Sequence, residues 1–151
     1  MRKLQTDKNC GFAPWISVIV LFVLFLALLT YVIYSRLTEY FSQLDPMLKE
    51  IQQALEPLHP RVKTLKFFEG NKSYTINKKK IYMCLRDEHG NYYDKNMLIY
   101  VAIHELAHVL CDEIGHTEKF HRIFQELLEK AQDLQIHDAS KPIVRNYCGH
   151  H

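Results

Sequence analysis

Residues Trp15 to Tyr34 read WISVIVLFVLFLALLTYVIY, twenty positions without a charge, a proline or a glycine. A helix rises about 1.5 Å per residue, so this stretch would reach about 30 Å, the thickness of a bilayer's hydrocarbon core. A helix packed on the side of a soluble core keeps a polar face, and this segment has none. Trp15, Tyr31 and Tyr34 stand near its ends, where amphipathic rings favour the headgroup level. The segment is therefore expected to be a single transmembrane helix. A cleaved signal peptide would carry a shorter apolar run and small residues at its exit, whereas this run leaves through TYVIYSRL.

The flanking charges suggest an orientation. Arg2, Lys3 and Lys8 precede the span, while Arg36 and the more distant Lys49 follow it. The positive-inside rule puts residues 1–14 in the cytosol and the C-terminal domain across the membrane. Three of the 19 Lys and Arg lie in that tail, as does Asp7, one of the 17 Asp and Glu. The remainder is formally neutral, so it has no overall basic field to hold nucleic acid. Lys78, Lys79 and Lys80 form a local basic knot that reads as a solvated turn.

The four cysteines are Cys10, Cys84, Cys111 and Cys148, with no CxxC spacing. Cys10 sits where a juxtamembrane cysteine can be acylated. The other three allow one disulfide and one free thiol in an oxidising compartment, with the pairing open.

Beyond the span, residues 36–58 carry Leu37, Tyr40, Phe41, Leu44, Leu48, Ile51 and Leu55 at three- and four-residue steps. This predicts a stalk or a first domain helix, restarting at Asp45-Pro46 with Asp45 as cap and ended by Pro57 and Pro60. Residues 62–151 form the main domain. Thr64–Phe68, Ser73–Asn77 and Lys80–Leu85 read as three short strands of a small antiparallel sheet. Asp94 can cap a helix running to about Cys111, apolar on nearly all sides and hence buried. Gly115 breaks the chain, and Thr117 can cap a second helix with Phe120, Ile123, Phe124, Leu127, Leu128, Ala131 and Leu134 as its stripe. The expected class is α+β, with the sheet packed on the first of these helices and the second crossing below.

Residues 104–108 read HELAH. Positions four apart share a helix face, so His104 and His108 can converge on one ion. Glu105 lies about 100° round from His104, close to the ion but displaced from it. That is the place for a general base that takes a proton from zinc-activated water. Two imidazoles and a carboxylate on a buried apolar helix are costly unless something compensates them. A catalytic zinc takes three protein ligands and leaves one position open. His116, beyond Gly115 at the start of the next helix, is the candidate third ligand, with His121, Glu113 and Glu126 as alternatives.

The segment HELAHVLCDEIGHTEKFHRIFQELL resembles the zinc site of the WLM and SprT-like metallopeptidases. The resemblance covers about Tyr74–Leu134 and is specific across His104–Phe124. It implies that His104, His108 and His116 bind one Zn²⁺ and that Glu105 is the general base. It also implies that Phe120 packs the second helix on the first. Seven residues separate His108 from His116 here, where the family often has fewer. Short anchored versions of this domain look like those of large DNA viruses. The activity implied is hydrolysis of protein or peptide substrates beside a membrane, the substrate extended along an edge strand such as Lys80–Leu85. Tyr147, His121 and Tyr93 are candidate transition-state donors. A Cys148 thiolate at the zinc's open position would keep such an enzyme latent. The alternative is a non-catalytic zinc module that staples a small membrane-held domain. Glu105 separates the two readings, because a structural site has no use for a carboxylate beside its first ligand. A DNA-processing role would need a basic face. Oligomeric state is not legible.

Overall fold

The computed structural model describes residues 14–144 and 146–149. The expectations for Arg2, Lys3, Lys8 and Cys10 lie outside the described residues. The chain divides into two units at Thr38/Glu39.

The first unit is helical. Helix α1 spans Pro14–Phe41, and its apolar stretch Trp15–Phe41 is long enough to cross a membrane, with no part of its most apolar window buried. The helix does not stop at Tyr34. No proline or glycine interrupts the next turns, and Ser35 and Thr38 donate back to the Val32 and Ser35 carbonyls rather than capping a new helix. Leu37, Tyr40 and Phe41 therefore extend α1 rather than joining the helix that follows. The first part of the helical stretch expected over residues 36–58 thus continues α1, and the restart expected at Asp45-Pro46 is seen.

The break comes where the chemistry requires it. Asp45 caps helix α2, Pro46–Leu55, its carboxylate accepting from the Met47 N–H at 2.8 Å, and Pro46 takes the first helical position. Leu48, Ile51 and Leu55 form the buried face of α2. A short 3₁₀ turn, Pro60–Thr64, then leads into the sheet.

Three strands follow: β1 Lys66–Glu69, β2 Tyr74–Ile76 and β3 Lys80–Met83. Their order is β1-β3-β2. The β2–β3 hairpin is antiparallel, turning through Asn77 and Lys78, both with left-handed backbone (φ 50° and 53°). The Lys79 N–H closes the turn on the Ile76 carbonyl at 3.1 Å. Strand β1 pairs with β3 in parallel, Phe67 opposite Ile81 and Phe68 opposite Tyr82. The sheet is thus mixed, and the fully antiparallel arrangement is corrected on this pairing. The chain leaving β1 crosses to the far side before folding back, so β3 inserts between its predecessors. A strand so placed has both backbone edges paired. The edge strand facing the following helix is β2, not Lys80–Leu85.

Helix α3, Lys95–Leu110, is capped by Asp94, and α4, Glu118–Asp133, by Thr117, as the sequence predicts. Leu98, Ala102, Ile103, Leu106 and Val109 of α3 are fully buried between α2, the sheet and α4. At the end of α3 the Lys78 ammonium donates to the Cys111 carbonyl, and the Arg61 guanidinium to the Val109 carbonyl at 3.3 Å. Both cations sit where the helix dipole is negative and carbonyls lack helical partners. The expected solvated lysine knot therefore does include a turn, but Lys78 works as a side-chain cap. The α+β class and the packing of sheet and helices around α3 are as expected.

Candidate metal centre

His104 and His108 project from one face of α3, and the loop from Cys111 to Thr117 returns His116 to them. Gly115 permits that return with φ 87°, a left-handed conformation that disfavours a side chain. The His116 Nε2 lies 3.1 Å from that of His104 and 3.2 Å from that of His108. Among the described residues, these three form a cluster whose ligand atoms all fall within 4.8 Å of one another.

Hydrogen bonding alone does not satisfy this arrangement. A neutral imidazole nitrogen either donates or accepts. The single His116 Nε2 faces two other Nε2 atoms, and it cannot do both. A tetrahedral zinc with bonds of about 2.0–2.1 Å instead separates its ligand atoms by about 3.4 Å. The two pairs that share His116 Nε2, at 3.1 and 3.2 Å, come close to that spacing, and neutral imidazole is the form that ligates. Burial pushes the His104 pKa down to about 4, with His108, His116 and His121 adding to the effect. His108 is likewise lowered, by burial and then by His116.

Phe120, at the start of α4, floors the cluster. Its ring centroid lies 5.0 Å from His104, 4.3 Å from His108 and 4.8 Å from His116. The expected packing of α4 on α3 through this residue is therefore seen.

Glu105 is almost completely buried, at 5 % exposure. That burial raises its pKa to about 7, against the opposing pull of a hydrogen bond from Thr75. The Thr75 Oγ1 donates to Glu105 Oε2 at 2.8 Å and lies 3.2 Å from the Glu105 carbonyl. Strand β2 thus reaches the base through its inward side chain. Nothing in the sequence marked Thr75 beyond its strand propensity.

Two cavities open on the cluster. One of about 460 Å³ runs along β2 past Thr75, His108 and Glu113. The other, of about 340 Å³, is walled by Ser73, Tyr100, Val101 and Tyr147 beside His104 and Glu105. Larger clefts, of about 710 and 870 Å³, lie by His137 and by Arg86. The donor set, not the volume, singles out the histidine site.

The remaining candidates separate clearly. Glu113 lines the first cavity but is not part of the three-histidine cluster. Glu126 is exposed on α4. His121 is exposed, its ring 6.3 Å from that of His116. Tyr93 packs on Tyr147 at 4.9 Å and its hydroxyl accepts from the Cys148 N–H at 3.1 Å. The Tyr147 hydroxyl donates to the Cys84 carbonyl and meets Ser73 Oγ at 3.0 Å. Burial lifts its pKa to about 12. Cys84 and Cys148 form a disulfide, leaving Cys111 buried and free. A bonded Cys148 sulfur has no thiolate to offer a metal, which overturns the latency idea.

Comparison with known proteins agrees with this architecture. No family model matches the chain. A protein of Invertebrate iridescent virus 6 is 56% identical over 87 residues, covering 56% of this chain and 49% of the relative. One of Invertebrate iridescent virus 3 is 50% identical over 97 residues, 62% of this chain and 61% of the relative. One of Acanthamoeba polyphaga mimivirus is 36% identical over 124 residues, 76% and 63% respectively. All three are described as uncharacterized, and the chain spans between about half and under two thirds of their lengths. The crystal structure of Wss1 from Saccharomyces cerevisiae superposes with a TM-score of 0.52 at 22% identity, over 59% of this chain and 77% of that one. At that identity the likeness carries the fold alone. The matched span shares its fold with that protein.

Proposed function

We propose that this chain is a zinc-dependent metallopeptidase that hydrolyses peptide bonds of protein substrates beside a membrane. The observation that carries the reading is the convergence of three imidazole Nε2 atoms beside a buried carboxylate held by a neighbouring strand. His104, His108 and His116 would hold one Zn²⁺. Bound there, the ion supplies a Lewis acid for the scissile carbonyl and lowers the pKa of water. Thr75 engages Glu105 Oε2 and so fixes the carboxylate, leaving Oε1 to take a proton from the attacking water and pass it to the leaving amine. An extended substrate can pair with the open edge of β2, Tyr74–Ile76, which borders the site.

The expected topology, with the domain on the non-cytosolic side of α1, draws support from the Cys84–Cys148 disulfide, since such bonds persist in oxidising compartments. No nucleic-acid partner is proposed.

The test uses the full chain purified in detergent, beside Glu105→Gln, with zinc content and casein cleavage measured for both. Zinc in both and cleavage by the wild type alone is expected. Zinc in both without cleavage in either would turn the reading to a structural zinc module. Absence of zinc from both would end it.

A further inference from the structure

The cavity of about 340 Å³ beside the histidines differs in character from the groove along β2. Tyr100 and Val101, on the α3 turn preceding His104, give it one wall, and the Tyr147 ring gives another. Tyr147 belongs to neither the α-helices nor the sheet. It opens a short 3₁₀ turn, Tyr147–Gly149, and several ties bring it to the cavity. Its neighbour Cys148 is bonded to Cys84 at the end of β3. Its hydroxyl donates to the Cys84 carbonyl, its ring leans on Tyr93, and the Cys148 N–H donates to the Tyr93 hydroxyl. Ser73 completes the clamp, meeting the Tyr147 hydroxyl at 3.0 Å and accepting from the Cys84 N–H at 3.1 Å. The polar end of Tyr147 is thus committed to the wall, and its ring is what the cavity meets.

A pocket of this size with mostly carbon walls takes an aliphatic or aromatic side chain. His104, Glu105 and His116 complete the lining. With these three committed to the metal site, an incoming charged side chain would lose hydration without a free partner in compensation. Resting on the peptidase reading above, we propose that this cavity is the specificity pocket for an apolar residue flanking the scissile bond. Tyr147, fastened by the Cys84–Cys148 disulfide, is its specificity-determining wall.

The experiment uses the zinc-loaded full chain in detergent and a peptide series varied at one residue beside the cleaved bond. Leu, Met and Phe are expected to exceed Asp, Lys and Gly by roughly tenfold or more in kcat/KM. Tyr147→Phe keeps the wall and should keep that preference. Tyr147→Ala, and Cys84→Ser with Cys148→Ser, should flatten it, read as the ratio of kcat/KM for the Leu peptide over the Asp peptide. Because those variants disturb the tail, Val101→Phe is the second approach: it narrows the cavity and should shift preference to Ala. Binding of a Leu peptide and an Asp peptide to zinc-loaded Glu105→Gln gives a readout free of turnover, with the Leu peptide expected to bind more tightly. A flat wild-type profile with cleavage intact would overturn the pocket and leave the peptidase standing. Tyr147→Phe abolishing turnover on every peptide alike would overturn the wall in favour of a proton-donating tyrosine. Zinc-loaded protein that cleaves no peptide would instead remove the peptidase reading itself.

Discussion

The Thr75 hydroxyl donates to Glu105 at 2.8 Å, so a residue on the edge strand fixes the carboxylate of the HELAH helix. The bond fixes one carboxylate oxygen of a side chain that has almost no contact with solvent. Hydrogen bonds to ionised groups contribute about 1.5–3 kcal/mol. Thr75→Val keeps the shape and removes the donor. Its kcat/KM on casein should fall roughly ten- to hundredfold, with zinc content unchanged. Thr75→Ser should retain most of the activity. Equal rates for Val and wild type would show that Thr75 does not position the base.

Zinc should also act on stability, because the cluster is assembled only when α3 and the His116 loop are folded together. Free zinc at a hundred times its Kd would add about 2.7 kcal/mol to folding. Thermal melting of the full chain should therefore rise with zinc and fall with a chelator. His116 is exposed, so His116→Ala should leave the fold intact yet abolish most of the zinc-dependent rise. A wild-type melting temperature indifferent to zinc would count decisively against the metal centre.

How much of this was legible in the sequence depends on whether the signal is local. Asp45, Asp94 and Thr117 cap their helices by bonds to residues two or three positions on, so composition at each start revealed them. His104 and His108 share a face by helical geometry, and a turn at Gly115 made His116 a reasonable return. Strand order is not local. Nothing in Lys80–Met83 says that β3 will insert between β1 and β2, since alternation fixes a face and not a neighbour. The same holds for Cys84 and Cys148, whose pairing across 64 residues follows from the tertiary path. Thr75 was invisible for a related reason: a β-branched residue in a strand needs no further explanation.

The disulfide closes a long loop around the whole zinc helix and α4. Removing such a crosslink from a small domain typically costs about 2–5 kcal/mol. Cys84→Ala with Cys148→Ala should lower the denaturation midpoint accordingly, whereas Cys111→Ala loses only the packing of a small buried side chain. Digestion without reductant should yield a Cys84–Cys148 linked peptide pair. Finding both residues as free thiols in protein isolated from its native membrane would place the domain in a reducing compartment, against the proposed topology.

Phe120 joins the fold to the site most directly, being 1 % exposed and in contact with all three histidine rings. Replacing a buried Phe by Ala costs about 3–5 kcal/mol, which would confound any reading of metal affinity. Phe120→Leu is the better probe, since it keeps apolar volume while withdrawing the flat surface on which His108 stacks. Shells of this kind around a metal site commonly change affinity ten- to hundredfold when altered, and a loss of roughly tenfold is expected here. Leu127→Ala supplies the comparison. It lies two turns further along α4, is 6 % exposed, and makes no ring contact with the cluster. It should cost about 2–5 kcal/mol of stability and leave zinc affinity as it was. If both variants weakened zinc equally, the effect would follow global stability, and Phe120 would be a core residue with no particular hold on the histidines.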